Sequence, residues 1–208
     1  SFLLMELSIA ISEGIGWLGF KCKQSRVLYV NLEIDESSCI NRFASIYKAM
    51  KLQPKHSVDV VLWNLRGYAV PLDKLVPKLL RRIANQKYGA VIIDPIYKVI
   101  TGDENNASEM GAFCNQFDKI CQASGCATIY CHNHSKGAQG FKKAMDRASG
   151  SGVFARDPDA QLDMIQLDAS EEFIAEHGEV LTATAWRLES SLREFPNFKP
   201  RNFWFEYP

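Results

Sequence analysis

The sequence predicts an α/β fold: a mainly parallel central sheet flanked by helices, with antiparallel strands added at its C-terminal end. Two observations carry this. Between residues 26 and 132, short and nearly all-apolar segments alternate with amphipathic ones, the pattern of strands covered on both faces by crossover helices. After Gly152 that alternation gives way to successive β-like segments.

The elements follow in order. The chain opens "SFLLMELSIAISEG", where Leu3, Leu4, Leu7, Ala10 and Ile11 share one face of a 3.6-residue period and Gly14 supplies a stop signal; a first helix is expected there. "RVLYVNLEID" (26–35) reads as a buried strand and "ESSCINRFASIYKAM" (36–50) as a helix. "VDVVLWNL" is a second strand and "LDKLVPKLLRRIAN" its following helix. "YGAVIID" is a third strand, "ASEMGAFCNQFDKICQAS" a third helix, and "CATIYCH" a fourth strand. "AQLDMIQLDA", "EVLTATAWRLES" and "NFWFEY" are the antiparallel strands. The expected organisation is one domain over 1–208, with 159–208 as its β-rich extension.

Composition sets the outer bounds. A chain of 208 residues can bury roughly 70% of its unfolded surface in one core. Twenty-four basic against 24 acidic residues argue against a globally basic nucleic-acid coat, while leaving room for a local basic loop. No apolar run reaches the ~18 residues a bilayer crossing needs, and no signal peptide is visible, so a cytoplasmic protein without membrane attachment is expected. Six dispersed cysteines without a CxxC pair fit a reducing compartment. Cys131, His132 and His134 resemble a zinc corner, but no second ligand pair accompanies them, and metal binding there is not expected.

In parallel sheets ligands bind at the carboxyl ends of the strands. Here those ends read Asn31-Leu32-Glu33, Ile93-Asp94-Pro95 and His132-Asn133-His134. Asp94 emerges after Ala90, Val91, Ile92 and Ile93, the arrangement that holds magnesium beside a phosphate site in Walker B strands. A second acid one strand over, Glu33, can orient or deprotonate an attacking water. Each also has a plainer reading: Asp94 caps the next turn, and Glu33 is a solvated acid near a helix start. Ser1 has two readings as well. It is the last residue of a GxxxxGK[ST] phosphate loop whose strand and glycines precede residue 1, or it is only the N-cap of the first helix. On the first reading this 208-residue chain by itself binds ATP very weakly and is inactive.

The stretch "GAVIIDPIYKVITGDENNASEMGAFCNQFDKICQASGCATIYCHNHSKGAQG" resembles the RecA-like ATPases of the RepA-type hexameric replicative helicases. "RASGSGVFARDPDAQLDM" and "REFPNFKPRNFWFEY" resemble the relatives carried by phages, plasmids and conjugative elements of bacteria. The resemblance implies a RecA-like P-loop fold, ATP and Mg2+ as nucleotide and metal, a homo-oligomer such as a hexamer, and single-stranded DNA as partner. It places Ser1 at the Walker A hydroxyl, Glu33 at the catalytic glutamate, Asp94 at the Walker B aspartate and His132 at the γ-phosphate sensor, against a strand-end histidine bonded to backbone. Asn133 interrupts the paired histidines of the motif and leaves His134 unassigned. Arg147 and Arg156 are candidates for an arginine acting from a neighbouring subunit, and each is equally readable as a solvated surface arginine. "HSKGAQGFKKAMDRASG", with Lys136, Phe141, Lys142 and Lys143, corresponds to the loop that grips nucleic acid, against an ordinary solvated loop.

These readings lead to an ATP-hydrolysing motor domain, a DNA helicase or replication ATPase of a bacterial mobile element. A nucleotide-gated loader without helicase activity is the alternative, and a non-ATPase α/β binding module a third.

Overall fold

The structure, a computed structural model, describes residues 1–133, 152–168 and 183–208. Helix α1 (Phe2–Glu13) ends as the glycine predicts. Gly14 takes a left-handed φ of 68° and its amide turns back onto the last carbonyls of the helix. The buried stripe of α1 differs from the leucine face read in the sequence. Met5, Ser8, Ile9, Ala10 and Ser12 are buried, so of the expected face only Ala10 is fully covered, whereas Leu3, Leu4, Leu7 and Ile11 are half-covered. The helix is apolar around most of its circumference, so periodicity does not choose a face. Small serines let the backbone approach the sheet, and their hydroxyls are satisfied inside the helix, Ser8 donating to the Leu4 carbonyl (2.7 Å) and Ser12 to that of Ile9 (3.0 Å).

A short hairpin that the sequence reading did not anticipate, β1 (Gly16–Trp17) and β2 (Phe20–Lys21), leads into β3 (Arg26–Asn31). With β4 (Val60–Asn64), β5 (Tyr88–Asp94) and β6 (Ala127–Tyr130), β3 forms an all-parallel sheet in the order β4-β3-β5-β6. Helices α2 (Glu36–Ala49), α3 (Leu72–Ile83) and α4 (Ala107–Ser124) make the crossovers. Met5 and Ile9 of α1, Cys39, Ile46 and Tyr47 of α2, and Val27, Tyr29, Ala90 and Ile92 of the strands share one core, on which Ile129 also packs. The next residue of β6, Tyr130, projects to the opposite face, where it stacks on Phe117 of α4 with ring centroids 4.3 Å apart. Helix α4, with α3 beside it, therefore covers the second face.

Strand β3 is shorter than its sequence pattern because its last residue turns the chain. The Asn31 side-chain oxygen accepts from the amides of Glu33 (3.3 Å) and Ile34 (3.0 Å), and Asp35 then caps α2 by accepting from the Ser38 amide (2.9 Å). The hydrogen bonds from Ser38 hold the Asp35 carboxyl below its ordinary range.

The described residues divide into two compact units, Ser1–His132 and Asn133–Tyr207. The second contains α5 (Val153–Arg156) and the strands β7 (Ala160–Leu167), β8 (Thr184–Leu192) and β9 (Arg201–Phe205). These strands are antiparallel, as their sequence predicts, but among the described residues they are not appended to the parallel sheet: they pair with one another in a sheet of their own, ordered β7-β8-β9. All six cysteines are free thiols. Among the described residues, no helix is long and apolar enough to cross a membrane.

Candidate functional site

Strand β5 carries three fully buried residues, Val91, Ile92 and Ile93, and delivers Asp94 at its carboxyl end with only 3% of its surface exposed. A buried carboxylate needs donors. Two side chains supply them: the Tyr29 hydroxyl, from the middle of β3, donates to Oδ2, and the Cys131 thiol, just past β6, donates to Oδ1 at 2.7 Å. Both donors stay protonated. Burial, reinforced by the neighbouring carboxylate, pushes the Tyr29 phenol and the Cys131 thiol well above their ordinary values. Cys131 is thereby a neutral hydrogen-bond donor and no thiolate nucleophile.

The strand ends are stitched together around this acid. Leu32 donates its amide to the Asp94 carbonyl (3.0 Å), Leu65 to that of Asn31 (2.8 Å) and Ile96 to that of Cys131 (3.1 Å). Asn31 lies opposite Asp94 in the β3–β5 register and is 1% exposed. Besides accepting from Glu33 and Ile34, its amide group donates to the Ile34 carbonyl (2.5 Å) and to Asn64 Oδ1 (2.8 Å), so every polar atom of the side chain is engaged. That network fixes the turn carrying Glu33. The Glu33 side chain is exposed, and its Oε1 accepts from the Tyr97 hydroxyl at 2.6 Å. This bond raises the Tyr97 phenol above its ordinary value.

Ser1 stands at the N-cap position of α1, its carbonyl accepting from the Met5 amide (2.9 Å), and its side chain makes no capping hydrogen bond. Asp94 and Glu33 both act electrostatically on the Cys131 thiol, adding to burial in raising its affinity for the proton. His132 follows Cys131 and is half-buried at the same edge. Thus the first unit brings the Asp94 carboxylate, Glu33 and the β6 end around Cys131–His132 to neighbouring strand ends.

Of the remaining sequence-derived residues, Arg156 is exposed at the end of α5 in the second unit, its Nε donating to the Gly152 carbonyl (3.2 Å). Arg193 organises that corner: it pairs with Asp159 (3.0 Å) and donates to the carbonyls of Arg156 and Asp157, both at 2.6 Å. His134, Lys136, Phe141, Lys142, Lys143 and Arg147 lie outside the described residues. Among the described residues no three His, Cys, Asp or Glu side chains cluster as metal ligands.

Sequence reading missed the parts played by Tyr29, Asn31, Tyr97 and Cys131. Asn31 carried a signal, since an amide side chain closing an apolar run signals a turn. Tyr29 carried a weaker one, a hydroxyl among aliphatic neighbours that must find a partner once buried.

Asp94 and Glu33 themselves offer carboxylate oxygens, hard donors that suit a divalent cation such as magnesium. The two neutral donors on Asp94 leave its negative charge in place and occupy about half of its acceptor sites. A buried acid beside an exposed one, on adjacent strands, can hold a cation with the first and manage a proton with the second.

No curated protein matches the chain. Its fold is similar to that of a solved ATPase domain from another protein, with a TM-score of 0.54 and 13% sequence identity over 85% of this chain and 70% of that one. At that identity the likeness speaks for the fold, which is that of a RecA-like ATPase domain. The AAA domain family matches residues 1–139, which hold the parallel sheet and every described strand end of the site, and the chain belongs to that family.

Proposed function

We propose that this chain is the ATP-hydrolysing motor domain of a DNA helicase or replication ATPase of a bacterial mobile element, working with Mg2+ in the cytoplasm. The observation that carries the reading is the pair of acids at adjacent strand ends: Asp94 buried and held by neutral donors, Glu33 exposed on a turn fixed by Asn31. The family match supports it. Ser1 and Asp94 would hold the magnesium ion, which when bound neutralises charge on the β- and γ-phosphates. Glu33 orients the attacking water and accepts its proton as the water oxygen bonds to the γ-phosphorus and the bond to the bridging oxygen breaks. His132 contacts the γ-phosphate and reports its loss. Arg147 or Arg156 reaches the phosphates of a neighbouring subunit in a homo-oligomer, a hexamer on the sequence resemblance. Lys136, Phe141, Lys142 and Lys143 grip single-stranded DNA. The similarity to an ATPase domain extends over 85% of the chain, more than the first unit holds, and this supports reading 1–208 as one domain.

The reading extends to residues upstream of Ser1, where we place the strand and the glycine-rich loop that cradle the phosphates. In the protein with those residues present, Glu33→Gln should bind ATP at parental affinity and lose at least ~100-fold in turnover, the scale of general-base catalysis. Asp94→Asn should raise the Mg2+ concentration needed for half-maximal turnover. Parental hydrolysis by Glu33→Gln overturns the assignment. Hydrolysis that DNA does not stimulate, without strand separation, favours a nucleotide-gated loader.

A further inference from the structure

Asp94 and Glu33 are linked by a residue that belongs to neither strand. Tyr97 sits in a single 3₁₀ turn, Ile96–Lys98, that continues the chain from Asp94 through Pro95. Its hydroxyl reaches across 64 residues of sequence to Glu33 Oε1. We propose that Tyr97 is a positioning residue for Glu33, its phenol fixing one carboxylate oxygen so that the other is presented to the attacking water. The inference rests on the reading of Glu33 as the water-managing acid.

The turn around Tyr97 is built to hold the phenol still. Ile96 and Val99 are both fully buried, the Ile96 amide donates to the Cys131 carbonyl, and the Val99 carbonyl accepts from the Leu72 amide at 3.1 Å. Tyr97 itself is 39% exposed on this anchored turn. A hydrogen bond between two solvent-facing side chains adds little to folding stability, because water competes for both groups. An aromatic ring left in solvent to make one therefore calls for another explanation. The other partner is equally prepared, since Asn31 locks the backbone on which Glu33 stands. Two rigid supports meeting in one 2.6 Å bond match what a preorganised catalytic carboxylate requires.

The chemistry of the donor fits the task. A phenol orients a carboxylate without neutralising it, whereas an ammonium in the same place would form an ion pair and lower its basicity. The adjacent cation acts on the phenol: Lys98 Nζ lies over the Tyr97 ring, 4.9 Å from its centroid, and its charge favours release of the hydroxyl proton toward Glu33. The described residues give Glu33 Oε2 no donor, and this is the oxygen left to accept the proton of water.

The test uses Tyr97→Phe in the full-length protein. The substitution keeps the ring, the packing of the turn and the platform for Lys98, and removes only the hydroxyl. Turnover should fall about tenfold, equivalent to ~1.4 kcal/mol of barrier, while the dissociation constant for ATP stays within about twofold and the thermal midpoint within about 2 °C. In a Glu33→Gln background the same substitution should leave the residual single-turnover rate unchanged, because the carboxylate it positions is gone. Parental turnover by Tyr97→Phe, with Glu33→Gln inactive, overturns the positioning role and leaves the Glu33 reading intact. A tenfold loss that persists in the Glu33→Gln background also overturns it, since Tyr97 then acts on something else. Parental turnover by Glu33→Gln itself is the separate failure of the underlying reading.

Discussion

Asp94 shows how a single buried acid organises its surroundings. A carboxylate at 3% exposure must keep donors, and the fold supplies a tyrosine from one neighbouring strand and a cysteine from the other. The Tyr29 ring is also wedged in the core, edge-on to Phe43 of α2 with centroids 5.4 Å apart. Tyr29→Phe preserves that packing and strips one donor from a buried charge, so it should cost ~1–3 kcal/mol of unfolding free energy. Urea denaturation of the two proteins measures this directly. Equal midpoints and slopes would mean that the hydroxyl does not support Asp94. Because the phenol is held above its ordinary range, the donor remains protonated through neutral pH, and the difference between the proteins should be the same at pH 6 and pH 8.

At the scale of elements, β5 carries a second device besides its acid. Arg26 pairs with Tyr88 and Val27 with Ala90, so Gly89 is an extra residue on β5 and the register slips by one at that point. A Cβ on Gly89 would lie 2.3 Å from the Ser25 hydroxyl oxygen and 2.5 Å from its Cβ, closer than non-bonded atoms approach. Gly89→Ala should therefore destabilise the first unit by ~1–3 kcal/mol through overpacking. Ser25→Gly in the same chain should recover part of the loss. Chemical denaturation of the single and double variants decides it; additive losses would place the strain elsewhere. The bulge matters to the site because every residue after it, through Asp94, is brought into its register with β3 by that slip. Helix α1 makes the complementary point: its buried residues are Met5, Ser8, Ile9, Ala10 and Ser12, large apolar side chains filling the core beside small ones, while its leucines stay only partly covered.

At the scale of the molecule, the first unit holds all four parallel strands and both acids, while the second holds its own antiparallel sheet and Arg156. The proposed DNA contact belongs to the stretch between 134 and 150. Lys142 and Lys143 are the adjacent cations expected to neutralise phosphates there. Replacing both with alanine in the full-length protein should weaken single-strand binding and flatten the dependence of log affinity on log salt by ~2 or less. Hydrolysis without DNA should persist. Fluorescence anisotropy across a salt series reads both quantities, and an unchanged slope would remove this stretch from the DNA path.

The amino-acid sequence by itself determined the α/β alternation, the extent of β5 and α4, the stop of α1 at Gly14 and the two strand-end acids, because each rests on local periodicity, propensity or capping. Those signals are written in neighbouring residues. Only the tertiary structure decided which stripe of α1 is buried, where β5 bulges, and that Tyr29, Cys131 and Tyr97 attend the acids. Those choices depend on approach distances and on hydrogen bonds spanning 65, 37 and 64 residues of chain, which no local pattern encodes. A hydroxyl or thiol in an apolar run looks the same in sequence whether it idles in the core or holds a buried carboxylate; the partner that distinguishes the two arrives with the fold.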